Sequence, residues 1–173
     1  MLLGALVTGV VMALVAAATT RRTGPVFAWA LAGFVWWVVV IGLVTLVPAN
    51  GAPGWVSAET RLDYCSTDIG GPAPDGFWVF DGGQRLLNTA LFVPAGALGA
   101  LAACRWRAGW TLVPLVVLGL VAYSGLIEWT QLELARLDRA CDVTDIVDNA
   151  TGAALGAGVG VVLALGLRPW RAR

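Results

Sequence analysis

Five apolar stretches limit what this chain can fold into. Leu2–Thr20 and Val26–Val47 carry no charge and stop at Arg21-Arg22 and Pro48. Leu86–Ala103 lies between Arg85 and Arg105, Trp110–Ile127 ends at Glu128, and Val143–Leu167 is followed by Arg168. Each is close to the roughly 20 residues that cross a bilayer, where a lipid-exposed backbone must be helical. Hydrophobic residues make up 58% of the 173 and charged ones 13%, against roughly 25% in a soluble domain. The expectation is an all-α integral membrane protein, a bundle of five transmembrane helices forming one membrane domain over 1–173. Too little chain remains outside the spans for a second core. The first stretch reads as a retained helix, because it lacks a basic leader and is followed by two arginines. With no histidine in the chain, Ser-His-Asp and Cys-His catalysis and imidazole-ligated metals are excluded.

The charges orient the spans. Arg21 and Arg22 lie between spans one and two, Arg105 and Arg107 between three and four, and Arg168, Arg171 and Arg173 after five. None of these patches holds an acid. All 11 acids lie on the other side, with Arg61, Arg85, Arg136 and Arg139. The positive-inside bias therefore predicts an amino terminus outside and a carboxyl terminus in the cytoplasm. Trp29, Trp106, Trp110 and Trp170 then fall near the inner interface and Trp129 near the outer one. The 48–85 segment becomes an extracytoplasmic loop, rich in Gly, Pro and Asp turn residues and interrupted by Phe77, Trp78 and Phe80. Cys65 and Cys141 fall on the oxidising side and Cys104 on the other, so a Cys65–Cys141 disulfide is expected. Closing so long a loop contributes about 4 kcal/mol in the chain-entropy description.

Polar residues recur where the membrane does not require them. Span three opens with Arg85 and Asn88. Span four carries Ser124, Glu128 and Gln131, four and three residues apart and so on one helix face. Span five carries Asp142, Asp145 and Asn149, continued by Gly152, Gly156 and Gly160. In the predicted topology these faces lie at one depth and form a pocket opening outward. Part of the pattern has plain explanations. Helix capping accounts for Asp142 and extends to Asp148, and the glycine stripe reads as a close-packing face. Glu128 and Arg85 resist this treatment: each sits at the helix end whose dipole disfavours its charge. They are expected to pair with each other or to meet a ligand.

Asn88-x3-Phe92-x-Pro94-x-Gly96, Ser124-x3-Glu128-x2-Gln131 and Arg139-x2-Asp142-x2-Asp145-x3-Asn149-x2-Gly152-x3-Gly156 together resemble the VanZ-like family of bacterial membrane proteins. The resemblance covers 84–166, the last three spans. It implies a multi-pass protein of the bacterial cytoplasmic membrane, associated with resistance to the glycopeptide teicoplanin. It also implies that Asn88, Glu128, Gln131, Arg139, Asp142, Asp145 and Asn149 are recurring polar positions.

The leading functional reading is a non-enzymatic cell-envelope protein with an outer pocket built from Arg85, Asn88, Ser124, Glu128, Gln131, Arg139, Asp142, Asp145 and Asn149. Its partners are membrane lipids, with a lipid headgroup, a lipid-linked wall precursor or a glycopeptide antibiotic as ligand, and no nucleic acid. Arg85, Arg136 and Arg139 would hold phosphate or carboxylate. No cofactor is implied. The competing reading is an enzyme acting on a lipid or wall precursor, with Glu128 and Asp145 as acid–base candidates and Asp142 and Asp145 as oxygen ligands for a divalent cation. A transporter is disfavoured because the polar groups gather in the outer half.

Overall fold

In a computed structural model of the chain, residues 1–47, 65–67, 83–133 and 142–171 are described. They form α1 (Leu2–Thr23), α2 (Pro25–Leu46), α3 (Gly83–Ala103), α4 (Gly109–Glu133) and α5 (Val143–Leu167), followed by a short 3-10 turn, Pro169–Arg171. All five long helices are long and apolar enough to cross a membrane. The helical spans predicted from hydropathy are therefore present, with α1, α3 and α4 slightly longer than their apolar stretches and α2 and α5 of the same length. α3 and α4 continue through Pro94 and Pro114.

Local chemistry sets the boundaries. The carbonyl of Thr20 accepts from the Gly24 N–H, and Gly24 has φ 84, a conformation that glycine adopts without a Cβ penalty. Pro25 then opens α2 at a position where a missing N–H costs nothing. α5 starts at Asp142, whose carboxylate accepts from the Thr144 N–H at 2.8 Å, so its expected capping role is present. In the threonine-rich α1, Thr8, Thr19, Thr20 and Thr23 donate their hydroxyls to carbonyls four residues back, so no hydroxyl faces lipid unbonded.

The helices alternate in direction. A Cβ added at Gly4 would meet Leu43 and one at Gly9 would meet Trp36, placing the end of α2 beside the start of α1. Trp37 Nε1 donates to the Leu91 carbonyl at 2.7 Å while Gly33 faces Leu98, so α3 runs antiparallel to α2. α3 and α5 run parallel and touch along their length. A Cβ added at Gly152, Gly156 or Gly160 would strike the carbonyl oxygen of Thr89, Val93 or Ala97 respectively, and one at Gly96 would strike that of Ala153. The glycine stripe is thus a close-packing face, as expected.

Two ends result. One carries the starts of α1, α3 and α5 and the ends of α2 and α4. The opposite end carries Arg21, Arg22, Arg105 and Arg168. Trp29, Trp106, Trp110 and Trp170 are exposed toward the arginine-bearing end, and Trp129 toward the other. α1 is peripheral: of its residues only Ala16 is buried, while Leu2, Leu3, Leu6 and Leu14 are largely exposed. Such a surface suits a hydrocarbon solvent. The core lies among α2 to α5, around Ile41, Phe92, Ala95, Leu120, Ile127 and Ala153.

Candidate functional site

The polar residues of α3, α4 and α5 converge at the end of the bundle opposite the arginine patches. Arg85 stands in the first turn of α3, 6% exposed, and grips Asp148 of α5 with both arms of its guanidinium. Nε donates to Oδ2 at 3.0 Å and Nη2 to Oδ1 at 2.8 Å, and Asp148 is fully buried. This bidentate, charge-assisted pair is geometrically specific. It corrects the sequence expectation in one respect: Asp148, assigned there to capping, pairs with Arg85.

The reason is the register of α3 on α5. The contacts Thr89–Gly152, Val93–Gly156 and Ala97–Gly160 repeat every four residues on both helices. Continued one turn back, they set Arg85 opposite Asp148. The stripe 148-152-156-160 is the face toward α3; Asn149 lies beside it and faces α4. The glycines themselves held this signal, since one further step of four from Gly152 lands on Asp148.

Glu128 is buried near the end of α4, and its Oε2 accepts from the backbone N–H of Asp142 at 3.1 Å. A carboxylate disfavoured by its own helix dipole therefore serves the amino-terminal approach of a neighbouring helix, where negative charge is favoured. Asp142 is half-buried and occupied in capping α5. Asp145 is half-buried in the first turn of α5, its own N–H donating to the Asp142 carbonyl. The Val143 N–H donates to the Ser66 carbonyl at 3.0 Å, which ties residues 65–67 to the start of α5. Gln131 is buried, and its Nε2 donates to the Thr45 carbonyl at 3.1 Å, joining α4 to the end of α2.

Deeper by about two turns, Asn149 Nδ2 donates to Ser124 Oγ at 2.9 Å, with both side chains buried. The other end of that amide, Oδ1, has no hydrogen-bond partner. Asn88 Nδ2 and Thr89 Oγ1 on α3 are likewise buried and unpartnered. Leaving such a group unmatched costs about 1–3 kcal/mol, so three in one layer of a helical bundle are unusual. Thr89 is absent from the sequence-based set. Its signal is its place four residues after Arg85, on the face that meets α5.

Arg136, Arg139 and Cys141 lie outside the described residues, as do Phe77, Trp78 and Phe80. The Cys65–Cys141 pairing thus involves a residue outside them; Cys104, half-buried at the arginine-bearing end, is a free thiol. Among the described residues no three His, Cys, Asp or Glu side chains come together to hold a metal ion.

Compared with known protein families, the chain matches VanZ/LLP1 over residues 26–164, from the start of α2 almost to the end of α5. No curated protein and no solved structure matches it.

Proposed function

The chain belongs to the VanZ/LLP1 family, and from that premise we propose that it is a non-enzymatic, multi-pass protein of the bacterial cytoplasmic membrane. In this reading the polar end faces outward and the arginine-bearing end the cytoplasm, in accord with the positive-inside bias. The polar end recognises hydroxyl and amide groups of an envelope ligand, either a lipid-linked wall precursor or a glycopeptide antibiotic.

The observation that carries this reading is how the polar groups are used. Asp148 occupies Arg85, while Glu128 and Asp142 hold the entry to α5. Among the described residues of this end, the buried side-chain atoms without a hydrogen-bond partner are uncharged: Asn88 Nδ2, Thr89 Oγ1 and Asn149 Oδ1. Neutral donors and acceptors suit sugar and peptide groups better than phosphate. The Arg85 guanidinium, which sequence reasoning assigned to an anion, is here part of the frame that positions the amides. Glu128 likewise supports the backbone, which weakens the reading of it as a general acid or base.

The test compares Asn88→Leu and Asn149→Leu with wild type at equal membrane expression, scoring teicoplanin susceptibility of the host cells. Both variants should return susceptibility toward that of cells without the protein, while remaining folded in detergent. Wild-type susceptibility in both sinks the reading. Glu128→Gln is a poorer probe, because it also disturbs the start of α5.

A further inference from the structure

Away from the polar end, the side of the bundle between α2 and α4 is open. The two helices run parallel but are fastened toward their carboxyl ends, where Tyr123 Oη donates to the Val38 carbonyl and Gln131 Nε2 to the Thr45 carbonyl. Beyond these bonds, toward the arginine-bearing end, lies a groove of about 590 Å³. Its walls are apolar: Phe27, Phe34 and Val38 from α2, Gly99 from α3, and Val116 and Gly119 from α4. Phe27 and Val38 are 11 residues apart, a rise of about 16 Å along a helix. That matches one leaflet of a hydrocarbon core about 30 Å thick.

The back and mouth of the groove are both defined. A Cβ at Gly99 would come within 2.6 Å of Val116 Cγ1, so α3 closes the floor, whereas a Cβ at Gly119 would meet nothing within 4 Å. At the mouth, Phe27 and Trp106 pack edge to face, with ring centres 6.2 Å apart. The Arg105 guanidinium lies 5.0 Å from the Phe27 ring centre and 5.9 Å from that of Trp106. Arg107, Arg21 and Arg22 share this end, and the connecting segments that carry them contain no acid. An apolar slot one leaflet deep, ending at a cationic and aromatic rim, complements an amphiphile with an acyl chain and a negative headgroup.

We propose that this groove is a binding site for an anionic phospholipid of the surrounding membrane, one acyl chain lying between α2 and α4 and the headgroup resting at Arg105. The site is independent of the polar end and of the function proposed for it.

Native mass spectrometry of the full chain, equilibrated with equal amounts of phosphatidylglycerol and phosphatidylcholine of identical acyl chains, tests the assignment. Wild type should retain phosphatidylglycerol over phosphatidylcholine by about fivefold, the preference expected from roughly 1 kcal/mol per arginine near an anionic group. Gly119→Phe, which fills open space, should keep the melting temperature and lower retention of both lipids by about tenfold. Arg105→Gln should retain lipid but lose the preference. Equal retention of the two lipids by wild type overturns the proposal. So does a Gly119→Phe variant that holds lipid as wild type does. A wild-type dimer that Gly119→Phe dissociates would make a second copy the occupant, and also overturns it.

Discussion

α3 and α5 form one parallel pair of helices, and α2 and α4 another, yet the two pairs meet in opposite ways. On α5, glycine recurs every fourth residue, so carbonyls of α3 lie against bare backbone from Thr89 to Ala97. Between α2 and α4 stand Phe27, Phe34, Val38 and Tyr123, which hold the helices apart and leave a groove. In lipid the hydrophobic effect does not press helices together, so association depends on how closely backbones approach and which polar groups are paired. The close pair can hold a buried ion pair in fixed geometry. The separated pair relies on single side-chain-to-carbonyl bonds at one end.

The sharpest way to break this contrast is Gly156→Val. Its side chain would strike the Val93 carbonyl, a backbone group with no room to retreat, and a loss of about 5 kcal/mol or more is expected. Thermal unfolding in detergent should show no cooperative transition.

Asp148→Ala comes next. It strands a buried guanidinium and should cost about 3–5 kcal/mol. The double variant Arg85→Met with Asp148→Leu should recover most of that loss, since apolar replacement of a buried pair is often neutral or better. Recovery of stability without the ion pair would sharpen the view that Arg85 and Asp148 serve packing. If the double variant, stable and equally expressed, also showed the susceptibility change proposed for Asn88→Leu, Arg85 would have to be restored to the ligand-binding set.

Ser124→Ala is smaller. It removes the partner of Asn149 Nδ2 inside the bundle and should destabilise by about 1 kcal/mol, read as a lowered unfolding temperature. Tyr123→Phe should have the least effect. It removes one bond to the Val38 carbonyl at the edge of the groove, and bonds between membrane helices average about 0.6 kcal/mol. A loss from Tyr123→Phe exceeding that from Ser124→Ala would reverse the ranking of the two helix pairs.

The gathering of polar residues at one end was legible in the chain. Ser124, Glu128, Asp142, Asp145 and Asn149 are brought to one end because alternating spans must put the end of α4 beside the start of α5. Asp142 was legible as a cap from its place before an apolar run, and the glycines as a packing face from their spacing. The identity of partners was less accessible. Asp148 and Asn149 are adjacent and about 100° apart around the helix, so hydropathy places both toward the bundle but does not say which neighbour each meets. Arg85 and Glu128 stand at helix ends that disfavour their charges, which marks both as needing partners. Nothing local specifies that Arg85 meets a carboxylate on α5 while Glu128 meets a backbone N–H.

By itself the sequence determined the number of spans, their alternation and the gathering of polar groups at one end. These follow from local hydropathy and from the need to close every backbone hydrogen bond within a helix in lipid. Tertiary structure alone decided the offset of α3 against α5. That single register, fixed by carbonyls seated on glycines, pairs Arg85 with Asp148, turns Asn149 toward Ser124 and leaves Asn88 Nδ2 and Asn149 Oδ1 without a partner. An offset is a relation between two segments about 60 residues apart, and no periodicity within either one encodes it. The same holds for the groove, whose width depends on how side chains of α2 and α4 stand against each other once both are packed on α3.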